Sequence, residues 1–128
     1  MHFVEGQGIL GQIKFVDGSM PSYPRTYLIV STASDYIEIL NVSSIRGKER
    51  KLAFSTNEKL HFFNPPFLKP SFVKLDSLCR VPKSDWSHLK VLHQGETLDK
   101  NELNRIKGLL DNQKYDSVLE PINRVEGE

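Results

Sequence analysis

The chain has 128 residues, of which 38% are hydrophobic and 26% charged, with a formal net charge of +1; these values suit one globular domain and exclude wholesale disorder. A near-neutral charge gives no global pull on nucleic acid, so any polyanion site has to come from local clustering. No apolar run approaches the roughly 20 residues that span a bilayer, and the opening Met1-His2-Phe3-Val4-Glu5 lacks signal-peptide features, which predicts a cytoplasmic protein without a membrane partner.

In chain order, Ile9 to Val16, Thr26 to Ser31 and Tyr36 to Val42 are short runs rich in β-branched and aromatic residues, each bounded by turn formers, and each predicts a strand. Asp17 to Pro24, dense in Gly, Ser and Pro, is expected to be a surface loop, and Ser34-Asp35 a tight link between the second and third strands. Arg46, Lys48, Arg50 and Lys51 then form a basic cluster, interrupted by Gly47 and Glu49, that also suits a solvated loop.

Lys51 to Phe54 predicts a short strand, and Thr56 to Lys69 carries the turn signals Asn57 and Asn64-Pro65-Pro66. Ser71 to Val81 predicts one continuous strand, bounded by Pro70 and Pro82, with the lone Cys79 as a packed thiol. Ser84 to Leu89 suits a helical turn and Lys90 to His93 a last short strand. Asp99 as N-cap, with Glu102 three residues on, opens a helix whose stripe Leu103, Ile106 and Leu110 must be buried. The resulting class is mainly β, with five to six strands closed or nearly closed into a small barrel, plus a C-terminal helix. Residues 1–112 form the domain and 113–128 a loosely ordered tail.

Phosphate-loop, dinucleotide, zincin and paired-cysteine motifs are all missing, and His2, His61, His88 and His93 lack ligand spacing, so neither a metal nor a cofactor is expected. The polar candidates stand at strand ends. Arg25 opens a strand, Ser43-Ser44 close its neighbour, and Lys74 and Asp76, two apart on the expected Ser71 to Val81 strand, should share a face. An ordinary same-strand surface pair would have the same spacing.

The order of these pieces resembles the MazF/PemK family of toxins. Gly11-Gln12-Ile13-Lys14-Phe15-Val16, Arg25-Thr26-Tyr27-Leu28-Ile29-Val30-Ser31, Asn41-Val42-Ser43-Ser44 and Ser71-Phe72-Val73-Lys74-Leu75-Asp76-Ser77-Leu78-Cys79-Arg80-Val81 follow one another as that family's segments do, over residues 8–112. Thr26 stands where the family has Pro, no His precedes Arg25, Lys74 replaces an Arg of some members, and His61 to Phe67 differs from the best-known members.

The resemblance implies an SH3-like barrel that cuts single-stranded RNA without a metal, the 2′-hydroxyl attacking the adjacent phosphorus. It further implies a homodimer with an RNA groove and an acidic antitoxin partner, and no direct action on DNA. Arg25 would stabilise charge, Ser43 or Ser44 would position the phosphate, Asp76 would be the general base and Lys74 the acid or a phosphate contact. Arg46, Lys48, Arg50 and Lys51 would hold RNA, and Tyr23 would stack on a base. Two rivals remain: a noncatalytic toxin of the same barrel, such as the CcdB type, whose terminal Trp-Gly-Ile is not matched by Val125-Glu126-Gly127-Glu128, and a nonenzymatic RNA-binding barrel.

Overall fold

The computed structural model describes residues 2–14 and 19–113. β1 (Gly8–Gly11), β2 (Arg25–Thr32) and β3 (Tyr36–Ser44) form an antiparallel meander, with the expected link between β2 and β3 closed by the Ala33 amide donating to the Tyr36 carbonyl at 2.9 Å. β1 stops at Gly11, where an added Cβ would lie 2.6 Å from the Leu89 side chain; the part of the expected strand at Phe15 and Val16 lies outside the described residues.

The expected strand at Lys51 to Phe54 is instead a 3-10 turn at Glu49–Ala53, and the strand β4 follows at Asn57–Lys59. Glu49, Arg50 and Lys51 offer no alternating apolar face, and amides at Lys51 and Phe54 donate to the carbonyls three residues earlier. The Asn57 side chain fastens the turn by donating to the Lys51 carbonyl at 2.9 Å.

The expected single strand Ser71 to Val81 is also divided, into β5 (Ser71–Lys74) and β6 (Cys79–Pro82) around a 3-10 turn at Leu75–Ser77. The Ser77 hydroxyl explains the break. It accepts the Asn41 amide at 2.8 Å and donates to the Lys74 carbonyl at 2.6 Å, satisfying backbone groups that a continuous ladder would otherwise pair. Both pieces therefore pair with β3, β6 along Tyr36–Ile39 and β5 along Val42–Ser44.

A 3-10 turn at Lys83–His88 occupies the expected helical position, β7 is only Lys90–Val91, and α1 spans Lys100–Gln113. Among the described residues the protein is thus mainly β, with seven antiparallel strands in one sheet ordered β4-β5-β3-β2-β1-β7, β6 beside β3, and one α-helix after them. Within the described residues no ladder joins β4 to β7, so of the two expectations, closed or nearly closed, full closure is not what the sheet has there. No helix among the described residues is long and apolar enough to cross a membrane.

The buried apolar side chains form two clusters, one on each face of the sheet. On one face, Leu28, Val30, Leu40, Val42 and Val73 pack with Leu103 and Ile106 of α1, and Leu110 completes the expected stripe. On the other, Ile9, Tyr27, Ile29, Ile37 and Ile39 pack with Val81, Leu89 and Trp86, whose ring meets Phe3 edge-on at 5.1 Å. Burial on both faces is the main stabilising term, about 1.5–3 kcal/mol for each large apolar side chain.

Asp99 caps α1 as expected, its carboxylate accepting the Glu102 amide at 3.0 Å. Glu102 does not reciprocate in a capping box. Its buried carboxylate instead accepts from the His61 and Phe62 amides and from Arg105, which also pairs with Glu58, so one network ties α1 to β4 and the following loop. Of the expected loose tail, residues 113–128, Gln113 is instead the last residue of α1, and 114–128 lie outside the described residues.

Candidate functional site

Strand pairing decides which candidate side chains meet. Residues directly opposite in an antiparallel pair share a face, as do alternate residues of one strand. Tyr27 lies opposite Asn41, and Ser43 lies opposite Phe72. Arg25, two before Tyr27, therefore shares a face with Ser43 and with Lys74, two after Phe72. Three strands thus contribute one polar side chain each to the same end of one face.

Ser44 points the other way, with Val42 and Thr26, opposite Ser71. Of the two serines left open by the sequence, Ser43 joins Arg25 and Ser44 does not. The basic loop closes over the same end, where Lys48 donates to the Ser43 hydroxyl at 2.9 Å. Asn57, opposite Lys74 on β4, holds the carbonyl of Lys51. Lys48 and Lys51 are thereby drawn to the strand candidates. Arg46 and Arg50 are exposed in the same loop and are not among the charges that shift Lys74.

The electrostatics agree with this geometry. Half-burial pulls the Lys74 ammonium below the usual lysine range, reinforced by Lys51, Arg25 and Lys48 and opposed by Asp76. An anion bound here would relieve the crowding of Lys74 by its three neighbouring cations. Burial also pushes the Tyr27 hydroxyl up to about 12, helped by Cys79 and opposed by Arg25, so a protonated phenol stands beside the guanidinium. Tyr23, 55% exposed, presents its ring 5.0 Å from the Arg25 guanidinium carbon, a cation–π contact at the mouth of the cluster.

The pairing expected of Lys74 and Asp76 is corrected. Lys74 ends β5, whereas Asp76 sits exposed in the Leu75–Ser77 turn, so the period-two argument fails at the strand break. Asp76 still acts electrostatically on Lys74 from that turn. Asn57 and Ser77 have supporting roles that no motif announced. A Ser in the middle of an apolar strand pattern was the one available signal for the break, and Tyr27 could have been found as the residue two after Arg25.

Among the described residues, no three His, Cys, Asp or Glu side chains gather as a metal-ligand set. What the cluster can do is bind a phosphodiester: Arg25 offers a planar fork, Lys48, Lys51 and Lys74 offer point charges, and Ser43 offers a hydroxyl fixed by Lys48. In comparisons with known proteins, no family model matches the chain and no curated protein matches it in sequence.

Proposed function

We propose that this chain is a cytoplasmic, metal-independent endoribonuclease that cuts single-stranded RNA, acting as the toxin of a toxin–antitoxin pair of the MazF/PemK kind. The observation that supports it is the convergence of Arg25, Ser43 and Lys74 from three strands, joined by Lys48 and Lys51, on one face. Arg25 and the lysines would neutralise the charge that builds on phosphorus as the 2′-hydroxyl attacks. Ser43 would orient the phosphate.

The 2′-hydroxyl proton would pass to Asp76 at the rim, while Lys74, already inclined to release its proton, would protonate the departing 5′-oxygen. The products are a 2′,3′-cyclic phosphate and a 5′-hydroxyl. Tyr23 would stack on an adjoining base, and an acidic antitoxin segment would compete for the same cations. A homodimer carrying a shared RNA groove belongs to the same reading.

The exposed position of Asp76, off the strand face, favours a second reading in which the cluster binds RNA without cutting it. Incubation of purified protein with mixed-sequence single-stranded RNA in EDTA, beside Arg25→Ala protein and a DNA copy, separates the two. Discrete RNA fragments with 5′-hydroxyl ends, missing from both controls, are expected. Intact RNA that nevertheless binds, and binds more weakly to Arg25→Ala protein, would favour the nonenzymatic reading.

A further inference from the structure

We infer that the groove on the opposite face of the sheet, directly behind Arg25 and Ser43, receives a nucleobase adjoining the phosphate held by the cationic cluster. The inference rests on the reading of that cluster as an RNA-phosphate site. It goes beyond that reading by assigning a base-recognition subsite to residues that face away from the cluster.

Thr26 and Ser44 follow Arg25 and Ser43 in sequence and, by strand alternation, turn to the other face. There they wall a cavity of about 360 Å³ that is floored by Val42 and Phe67 and rimmed by Lys69 and His93. Phe67 is buried, and Leu68 beside it lines the same groove while 72% exposed. An apolar floor takes the flat face of a heteroaromatic ring. The hydroxyls of Thr26 and Ser44 can each donate and accept at its polar edge, while the Ser71 hydroxyl is already engaged, donating to the Lys69 carbonyl at 2.7 Å.

Charge complementarity selects nucleic acid over an apolar peptide. Lys69 stands exposed at the rim, so a base entering the groove brings its next phosphate towards that cation, while His93 lies 3.4 Å from the Glu96 carboxylate. The two sites also adjoin in sequence. Successive residues of β2 and β3 supply Arg25 then Thr26, and Ser43 then Ser44, so the two sites lie back to back, and a strand held by both would cross that end of the sheet. A phosphate on one face and a base on the other would fix the register of the RNA at the cut.

The test uses full-length protein and an uncleavable 2′-O-methyl RNA tetranucleotide of mixed sequence, with each base in turn replaced by an abasic residue. Affinity is measured together with backbone amide shifts. Removing one base is expected to weaken binding by about tenfold and to erase the shifts at Thr26, Ser44 and Leu92 while leaving those at Arg25 and Lys48. Ser44→Leu, which fills the groove, should produce the same loss with unchanged Tm and intact cluster shifts.

Equal affinity for every abasic oligonucleotide, with shifts confined to Arg25 and Lys48, would overturn the groove assignment and leave the phosphate site standing. Absence of shifts at Arg25 and Lys48 would instead sink the phosphate reading, and the groove assignment with it. Groove shifts that appear with protein concentration alone would identify a second copy of the chain as the occupant, and would also overturn the inference.

Discussion

Two charged clusters in this molecule are built on opposite principles. In the Glu102–Arg105–Glu58 network every charge has a partner: burial tends to raise the Glu102 carboxyl, but hydrogen bonds from Arg105 and from the His61 and Phe62 amides outweigh it and hold it below the usual range. The hydrogen bond that Arg105 donates to Glu102 likewise raises the Arg105 guanidinium against its own desolvation, with Glu58 adding to the rise. Around Lys74, cations stand beside cations: half-burial lowers the ammonium, Lys51, Arg25 and Lys48 lower it further, and Asp76 opposes them. The first cluster serves the fold and the second works against it, which is how a binding site differs from a brace.

That contrast can be broken from both sides. Arg25→Ala should reduce RNA cleavage by about 10²–10³-fold, the size expected when a donor to transition-state charge is lost, while leaving thermal unfolding nearly unchanged. Single-turnover cleavage and calorimetry on the same preparation check both halves. Glu102→Ala should do the opposite, costing about 3 kcal/mol in urea unfolding because two amides and Arg105 lose their acceptor. If the loss is below about 1 kcal/mol, the network is ornamental and the contrast collapses.

Acid and base titration sharpen it further. Glu102 is held below its unfolded value, so its stabilisation is complete above the ordinary glutamate range and is lost as pH falls through the lowered folded value. Lys74 is also lowered, so the unfolded chain binds more protons above the folded value. Stability contributed through Lys74 therefore rises as pH climbs through the folded value towards the ordinary lysine range. Melting curves across pH should show the acid loss vanish in Glu102→Gln and the alkaline gain vanish in Lys74→Met. The smallest expected effect is the Lys74→Met change at neutral pH, a rise in Tm of about 2–4 °C with weakened RNA binding. A fall in Tm would mean that the cations around Lys74 are not strained.

The sequence made one of these clusters legible and hid much of the other. Arg25 at a strand start and the basic run from Arg46 to Lys51 could be read directly, because local composition carries them. The meander of β1 to β3 and the stripe of α1 could be read as well, since period-two and period-3.6 patterns are local too. The division of Ser71 to Val81 could not, because it depends on the Ser77 hydroxyl meeting an amide 36 positions away at Asn41. The misplaced pairing of Lys74 with Asp76 followed from that one break. The choice of Ser43 over Ser44 needed the register with Phe72 and Ser71, which no single strand contains. Glu102 read as half of a capping box because its actual partners, His61 and Phe62, are some forty residues upstream.

Trp86, the only tryptophan in the chain, has a consequence for how the protein can be watched. Its indole is nearly buried, donates to the Val81 carbonyl at 3.1 Å and lies against Phe3, on the side of the sheet that carries the cationic cluster. Its fluorescence therefore samples that side, while far-ultraviolet ellipticity is weighted towards α1 on the other. A single chain thus carries two optical channels, one for each layer, and their melting curves either superimpose or separate without any label being introduced.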